Sequence, residues 1–188
     1  MTKKGNSPEK TIRSDRDEAL ALSREGRLWA PWRMRYIESA SRGEEGGCFL
    51  CENPAREDGA DNLVLRRGKF CFVIMNLYPY NNGHLMVAPF RHVADLMELT
   101  AEEISEAGEL VKLCVVALDE TMHPHGYNIG MNLGRVAGAG VEDHLHLHIV
   151  PRWSGDTNFM PVLADTKVVS ESLGESWRRL RKAFETKK

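Results

Sequence analysis

The stretch "EDHLHLHIVPRW", Glu142 to Trp153, sets three of the chain's seven histidines at every second position. In a strand alternate residues share a face, so His144, His146 and His148 would line one side about 6.5 Å apart. Leu145, Leu147 and Ile149 then point the other way, into a core. A one-residue slip would bury every imidazole, so this alternation fixes the register. That spacing is too wide for all three to ligate one metal without distorting the strand. Three readings stay open: semi-exposed histidines that tolerate their positions, two ligands of a zinc site, or a catalytic nucleophile with supporting neighbours. No matched carboxylate set stands nearby, and Asp143 faces away, which favours the nucleophile.

Upstream, "NLGRVAGAGVED" is a glycine-rich loop, and such loops let backbone N–H groups approach phosphate oxygens. An imidazole beside a phosphate cradle can attack phosphorus, form a covalent phosphoramidate and pass the group to a second acceptor. The cradle would stabilise the charge on the equatorial oxygens, which is most of the work in phosphoryl-type transfer.

Working outward, "LVLRRGKFCFVIMNL" reads as two strands joined by an Arg-Gly-Lys turn. "YPYNNG" is a turn by composition and "HLMVAPF" a further apolar strand. From about Thr100 to Met122 the pattern is helical. Thr100 and Glu103 form a capping-box signature, and Ile104, Ala107, Val111, Cys114, Leu118 and Met122 make an apolar stripe. "HPHG" ends this helix, and His123 and His125 are read as turn residues in solvent. "YNIGMNL" and "HLHLHIV" are the last strands, and an amphipathic basic helix follows from Glu171. The order hairpin, strand, helix, strand, strand, helix argues an α+β fold with a mainly antiparallel sheet.

With 42% apolar and 28% charged residues and a formal charge of -2, the chain has the balance of a soluble globular protein. Such a charge does not suit nucleic-acid backbone or an anionic membrane, so phosphate recognition must be local. The basic run "RRLRKAF" is accordingly read as a solvated helix face. Residues 1–27 are polar and read as a mobile or loosely docked extension before a single domain, 28–188, and "LWAPWRMRYI" would anchor that extension on the body or on a second subunit. No apolar N-terminal segment resembles a signal peptide, and no run is long enough to span a bilayer, so a reducing cytoplasm is expected. There the Cys48-x-x-Cys51 pair favours metal or redox roles over a disulfide. Cys71 and Cys114, among apolar neighbours, read as small buried hydrophobes.

The motif "HLHLHIV" resembles the His-φ-His-φ-His-φ-φ signature, φ being apolar, of the histidine triad (HIT) family. "NLYPYNNGHLMVAPFRHV" is similar to that family's nucleoside-binding strand pair. "LWAPWR" and "GMNLGRVAGAGVEDHLHLHIVPRW" further resemble a bacterial branch with diadenosine tetraphosphate phosphorylase activity. The resemblance implies a HIT-like fold and cleavage of dinucleoside polyphosphates through a nucleotidyl-histidine. His146 would be the nucleophile, and His148 would bond the phosphate oxygens. Asn76 would hold the ribose hydroxyls, Asn132 would stand near the phosphates, and Gly138, Ala139 and Gly140 would form the phosphate loop. Many members carry a hydroxyl residue in that loop to help the leaving group depart. Here position 140 is glycine, which suits substrates whose leaving group is already good.

Zinc is tetrahedral, and the C-x-x-C pair supplies two ligands. Relatives complete such a site with His92 in "FRHV" and His144 at the matching positions, which would make a structural Cys2His2 centre. His84 is left between facing the nucleotide and capping its strand. No organic cofactor is expected, and a homodimer is, as in relatives. Inorganic phosphate as acceptor would make the chain a phosphorylase, and water would make it a hydrolase. A weak nucleotide-binding protein and a zinc hydrolase remain the competing readings.

Overall fold

The computed structural model describes residues 47–139, 141–156 and 171–186. The extension at 1–27, the "LWAPWRMRYI" segment, most of "ESASRGEEGG" and Gly140 lie outside them.

Five strands form one antiparallel sheet: β1 (Val64–Arg67), β2 (Cys71–Met75), β3 (Leu85–Pro89), β4 (Gly126–Met131) and β5 (Leu147–Arg152). Their spatial order is β1-β2-β3-β5-β4. The β1–β2 hairpin turns through Gly68, as the Arg-Gly-Lys interruption predicts. Its tip is fastened by the Glu106 carboxylate, which accepts from the N–H groups of Lys69, Phe70 and Cys71. Burial opposes ionisation of Glu106, but these three donors hold its carboxyl below the usual range. Strands β2 and β3 are buried along their whole length, so they read as continuous apolar runs rather than alternating ones.

Among the described residues three α-helices accompany the sheet: α1 (Phe49–Glu52), α2 (Ala101–Met122) and α3 (Leu173–Glu185). Both halves of the capping box form at the start of α2: Thr100 accepts from the Glu103 N–H, and Glu103 from the Thr100 N–H. Helix α2 packs on β2, β3 and β5, while α3 packs on β1 and α2. The core between them holds Phe72, Ile74, Leu85, Leu110, Cys114, Leu118, Ile149, Leu180 and Phe184. Burial pushes the Cys71 thiol up to about 12 and that of Cys114 up as well, in keeping with inert core cysteines.

One member of the expected stripe is displaced. Ile104 is 53% exposed, and Glu103 takes the inward place beside it. The reason is local, because the Glu103 carboxylate is held by its own cap and by Arg91, 2.9 Å away. The stripe therefore runs through Glu103, Leu110, Cys114, Ala117 and Leu118.

The expected histidine strand also starts late. Its ladder with β3 begins at Leu147, opposite Val87, and that with β4 at Leu147, opposite Met131. Continued in the same register, Ala88 would face His146 and Pro89 would face Leu145; Pro89 has no N–H to give to that pair, and the ladder does not extend to it. His144, Leu145 and His146 form an extended approach to the sheet, tied by the Leu145 N–H to the Val93 carbonyl at 2.8 Å. All three histidines are buried rather than semi-exposed.

Two of the three arginines of "RRLRKAF" are held by acids of the fold: Arg179 pairs with Glu171, and Arg181 with Asp58 and Glu185. No helix among the described residues is long and apolar enough to cross a membrane.

Candidate active site and metal centre

Two side-chain clusters meet at His144. In the first, Cys48 caps α1 and Cys51 lies within it, and the Cys48 carbonyl accepts from the N–H groups of Cys51 and Glu52. His92 stands on the loop after β3, next to Arg91, which is pinned to Glu103 and to the Glu98 carbonyl. His144 arrives from the far end of the chain. Cys48 Sγ lies 3.3 Å from His144 Nδ1, Cys51 Sγ 3.3 Å from His92 Nδ1 and 3.4 Å from His144 Nδ1.

These four residues form a group that could hold a metal ion, with one donor atom from each lying within 4.8 Å of the others. A tetrahedral zinc would set sulfur and nitrogen ligands roughly 3.6 Å apart, so the spacing fits with a small outward adjustment. The tautomer fits too. His144 Nε2 lies 2.9 Å from the Pro89 carbonyl, which only accepts, so Nε2 carries the proton and Nδ1 the lone pair. Burial, opposed by that carbonyl and helped by His92 and His146, pushes the His144 imidazole below its ordinary value. It therefore stays neutral, as a ligand must. Burial pushes the Cys48 thiol up to about 11, and a bound cation would reverse that preference.

The second cluster holds His146, His148 and His84. His146 Nδ1 lies 2.8 Å from the His144 carbonyl. By the same logic Nδ1 is the donor, and Nε2 keeps its lone pair. The His146 and His148 rings stand edge to face, 4.7 Å apart.

His84 is the residue whose place the sequence left undecided. It neither caps β3 nor lies open to solvent. It is fully buried, stacked on Tyr80 at 4.9 Å, with Nε2 3.0 Å from His148 Nδ1. The Tyr80 N–H donates to His84 Nδ1 at 3.0 Å. A backbone amide can only donate, so His84 Nδ1 accepts and Nε2 carries the proton toward His148. His148 Nδ1 must then accept, which leaves its own Nε2 as a donor. A run of three hydrogen-bonding groups thus sets one imidazole to give a proton, while a carbonyl sets its neighbour to give a lone pair. No spacing signal announces His84, because only the β3–β5 register, Met86 opposite His148, brings the two together.

Asn76 follows β2, half-buried at the edge of this cluster. Its Oδ1 accepts from the Tyr78 N–H at 2.9 Å, and its Nδ2 lies 3.4 Å from His84 Nδ1. Asn132 follows β4, and its Nδ2 donates to the Gly138 carbonyl at 3.3 Å, closing the loop that precedes the triad. Gly138 has φ +85°, which only glycine adopts without strain, and Ala139 is buried. The N–H groups of Gly138 and Ala139 donate back to Arg135 and Gly134 within the loop. The expected backbone cradle is therefore not aimed outward by these two amides. His123 and His125 are exposed, and His125 Nδ1 accepts from the Ser154 N–H, as a turn in solvent predicts.

A family model described as HIT domain matches residues 58–155. An AP-4-A phosphorylase of Mycobacterium tuberculosis is 39% identical over 160 residues, which is 82% of this chain and 82% of that one. Among solved structures, a hypothetical histidine triad nucleotide-binding protein of Sulfolobus tokodaii superposes with a TM-score of 0.60 at 25% identity, covering 74% of this chain and 93% of that one. A zinc-bound histidine triad family protein of Mycobacterium smegmatis gives 0.59 at 25% identity, over 74% and 94%.

Proposed function

The chain belongs to the HIT family, and from that premise we propose that it cleaves dinucleoside polyphosphates by phosphorolysis through a covalent nucleotidyl-His146. The observation that carries the reading is the His146 Nδ1–H bond to the His144 carbonyl, which leaves Nε2 unprotonated for attack. Nε2 attacks the phosphorus next to one adenosine of diadenosine tetraphosphate. A P–N bond forms, a P–O bond breaks and ATP departs. Inorganic phosphate then attacks the same phosphorus, the P–N bond breaks and ADP leaves with His146 restored.

His148 donates from Nε2 to the phosphate oxygens in both steps, held in that tautomer by His84, which acts as a positioning residue. Asn76 binds the ribose hydroxyls through its carboxamide. Asn132, Gly138, Ala139 and Gly140 shape the phosphate loop. With glycine at 140 and two loop amides turned inward, assistance to the leaving group falls mainly on His148. A polyphosphate is stable as a leaving anion and needs least help. This favours dinucleoside polyphosphates over phosphoramidates, whose amine must be protonated to depart.

Cys48, Cys51, His92 and His144 hold a structural zinc ion, supported by the donor set, the spacing and the His144 tautomer. It supplies cross-linking rather than acid–base or nucleophilic chemistry. None of the four cysteines is in a disulfide, which leaves the Cys48 and Cys51 sulfurs available as ligands. For assembly we propose a homodimer through the outer edge of β4, which no other described strand pairs and where Asn128, Ile129 and Gly130 are exposed. Sedimentation as a monomer at micromolar concentration would rule that out.

The deciding assay is product identity from diadenosine tetraphosphate with and without inorganic phosphate. ADP and ATP, formed only when phosphate is present, make the chain a phosphorylase. AMP and ATP regardless of phosphate make it a hydrolase with the same nucleophile, and no turnover moves the reading to a nucleotide-binding protein.

A further inference from the structure

His144 belongs to both clusters by different atoms. Its ring offers Nδ1 to the Cys48, Cys51 and His92 group, while its carbonyl accepts the proton that fixes the His146 tautomer. The intervening backbone lacks the support the rest of β5 enjoys, because sheet pairing starts only at Leu147. Two bonds from the 144–146 segment reach the end of β3 and the loop after it, the His144 Nε2–H to Pro89 and the Leu145 N–H to Val93. His92 lies on the same loop, between Pro89 and Val93 in sequence. A metal shared by His92 and His144 would therefore cross-link the loop to the segment where the sheet does not.

We propose that the metal centre splints the nucleophile: metal bound to His144 replaces the missing β-ladder, holding the His144 carbonyl where it keeps His146 in its attacking tautomer. His144 is thus a positioning residue for His146 as well as a ligand. This rests on the zinc reading above and goes beyond a structural role, because it ties occupancy of the centre to the geometry of a particular imidazole.

Amide hydrogen exchange at Leu145, whose N–H sits between the two histidines, reads the splint directly. In the full-length protein, removal of zinc by a chelator should speed Leu145 exchange at least tenfold. The Val73 and Val87 amides, deep in β2 and β3, should keep their protection. Nitrogen-15 shifts of the His146 ring should pass from one tautomer to a mixture, which a merely stabilising metal would not cause. Unchanged Leu145 exchange and an unchanged His146 tautomer in folded, metal-free protein would overturn the proposal.

Two variants settle the matter if metal-free protein unfolds as a whole. His92→Ala and His144→Ala each leave three ligands, and cobalt(II) absorption shows whether each still binds metal through thiolate. Leu145 exchange should rise in both metal-loaded variants, and His92→Ala carries the test because it keeps the His144 bond to Pro89 while the metal no longer ties the loop; exchange at the wild-type rate in metal-loaded His92→Ala would contradict the splint. Absence of any cobalt–thiolate band in the wild type would instead remove the metal reading itself, a separate and recognisable failure.

Discussion

Replacing His84 isolates the hydrogen-bond relay that sets His148. In His84→Phe the ring volume stays nearly the same, but the donor 3.0 Å from His148 Nδ1 disappears. His148 is only 8% exposed, so that nitrogen would be left buried without its donor. An unsatisfied buried acceptor costs about 1–3 kcal/mol. His148 can avoid this by shifting its proton to Nδ1, but Nε2 then turns a lone pair toward the phosphate in place of an N–H. The shift removes that cost, so it is favoured, and the interaction with the charged oxygens then weakens by about 1.5–3 kcal/mol, or roughly ten- to two-hundred-fold in kcat/KM. In His84→Gln the Nε2 amide can occupy nearly the same place as the imidazole Nε2 and still donate. Steady-state kinetics on diadenosine tetraphosphate should therefore find the Gln variant within about fivefold of wild type and the Phe variant far below it. Circular dichroism melts check that both are folded at the assay temperature. Equal activities for Phe and Gln, whether both high or both low, would refute the relay.

Other perturbations follow from the same geometry. The Arg91 guanidinium beside Glu103, with the Thr100 amide, holds that carboxyl down at about 2 against an ordinary 4.5. A depressed carboxyl stabilises the fold fully above its unfolded value and loses that contribution as pH falls. Glu103→Gln should therefore be less stable by about 1–3 kcal/mol at pH 7 in urea titrations, with the gap to wild type closing between pH 4.5 and 2; a gap that stayed constant would show that its charge is not involved. Phe184→Ala removes a ring that is 1% exposed in the core under α3, and should cost about 3–5 kcal/mol in thermal or urea unfolding. Its kcat should hold below the lowered melting temperature, and a kcat that fell with fold intact would implicate α3 in the site. Gly138→Ala places a Cβ at φ +85°, which costs about 1–2 kcal/mol of backbone strain. If the loop shapes the phosphate site, the variant should raise KM for the dinucleotide several-fold, and an unchanged KM would remove Gly138 from binding.

Much of this was legible because it is written in local patterns. The capping box needs only Thr100 and Glu103, three residues apart, and it forms. The β1–β2 hairpin needs an apolar run, a glycine turn and a second apolar run, and it forms. The cysteine pair and the matching histidines converge as the family resemblance implied. What stayed hidden depends on partners distant in sequence. Ile104 loses the inward place to Glu103 because Arg91, twelve residues earlier, supplies a counter-charge. His144 and His146 leave the strand because Leu145 between them would pair with Pro89, which has no N–H to give. His84 gains its role only once β3 and β5 lie side by side. Alternation along one segment says which residues share a face, and says nothing about where the neighbouring strand ends.

The central claim is that His146 Nε2 becomes covalently bonded to phosphorus during turnover. Enzyme mixed with diadenosine tetraphosphate without inorganic phosphate should be quenched in alkali, which preserves a phosphoramidate, and examined by intact and peptide mass. One adenylyl group per chain on His146, released as ADP when phosphate is added and absent in His146→Ala, is the predicted result. Turnover that proceeds with no adenylylated protein at any time, or an adduct on another residue, would contradict it.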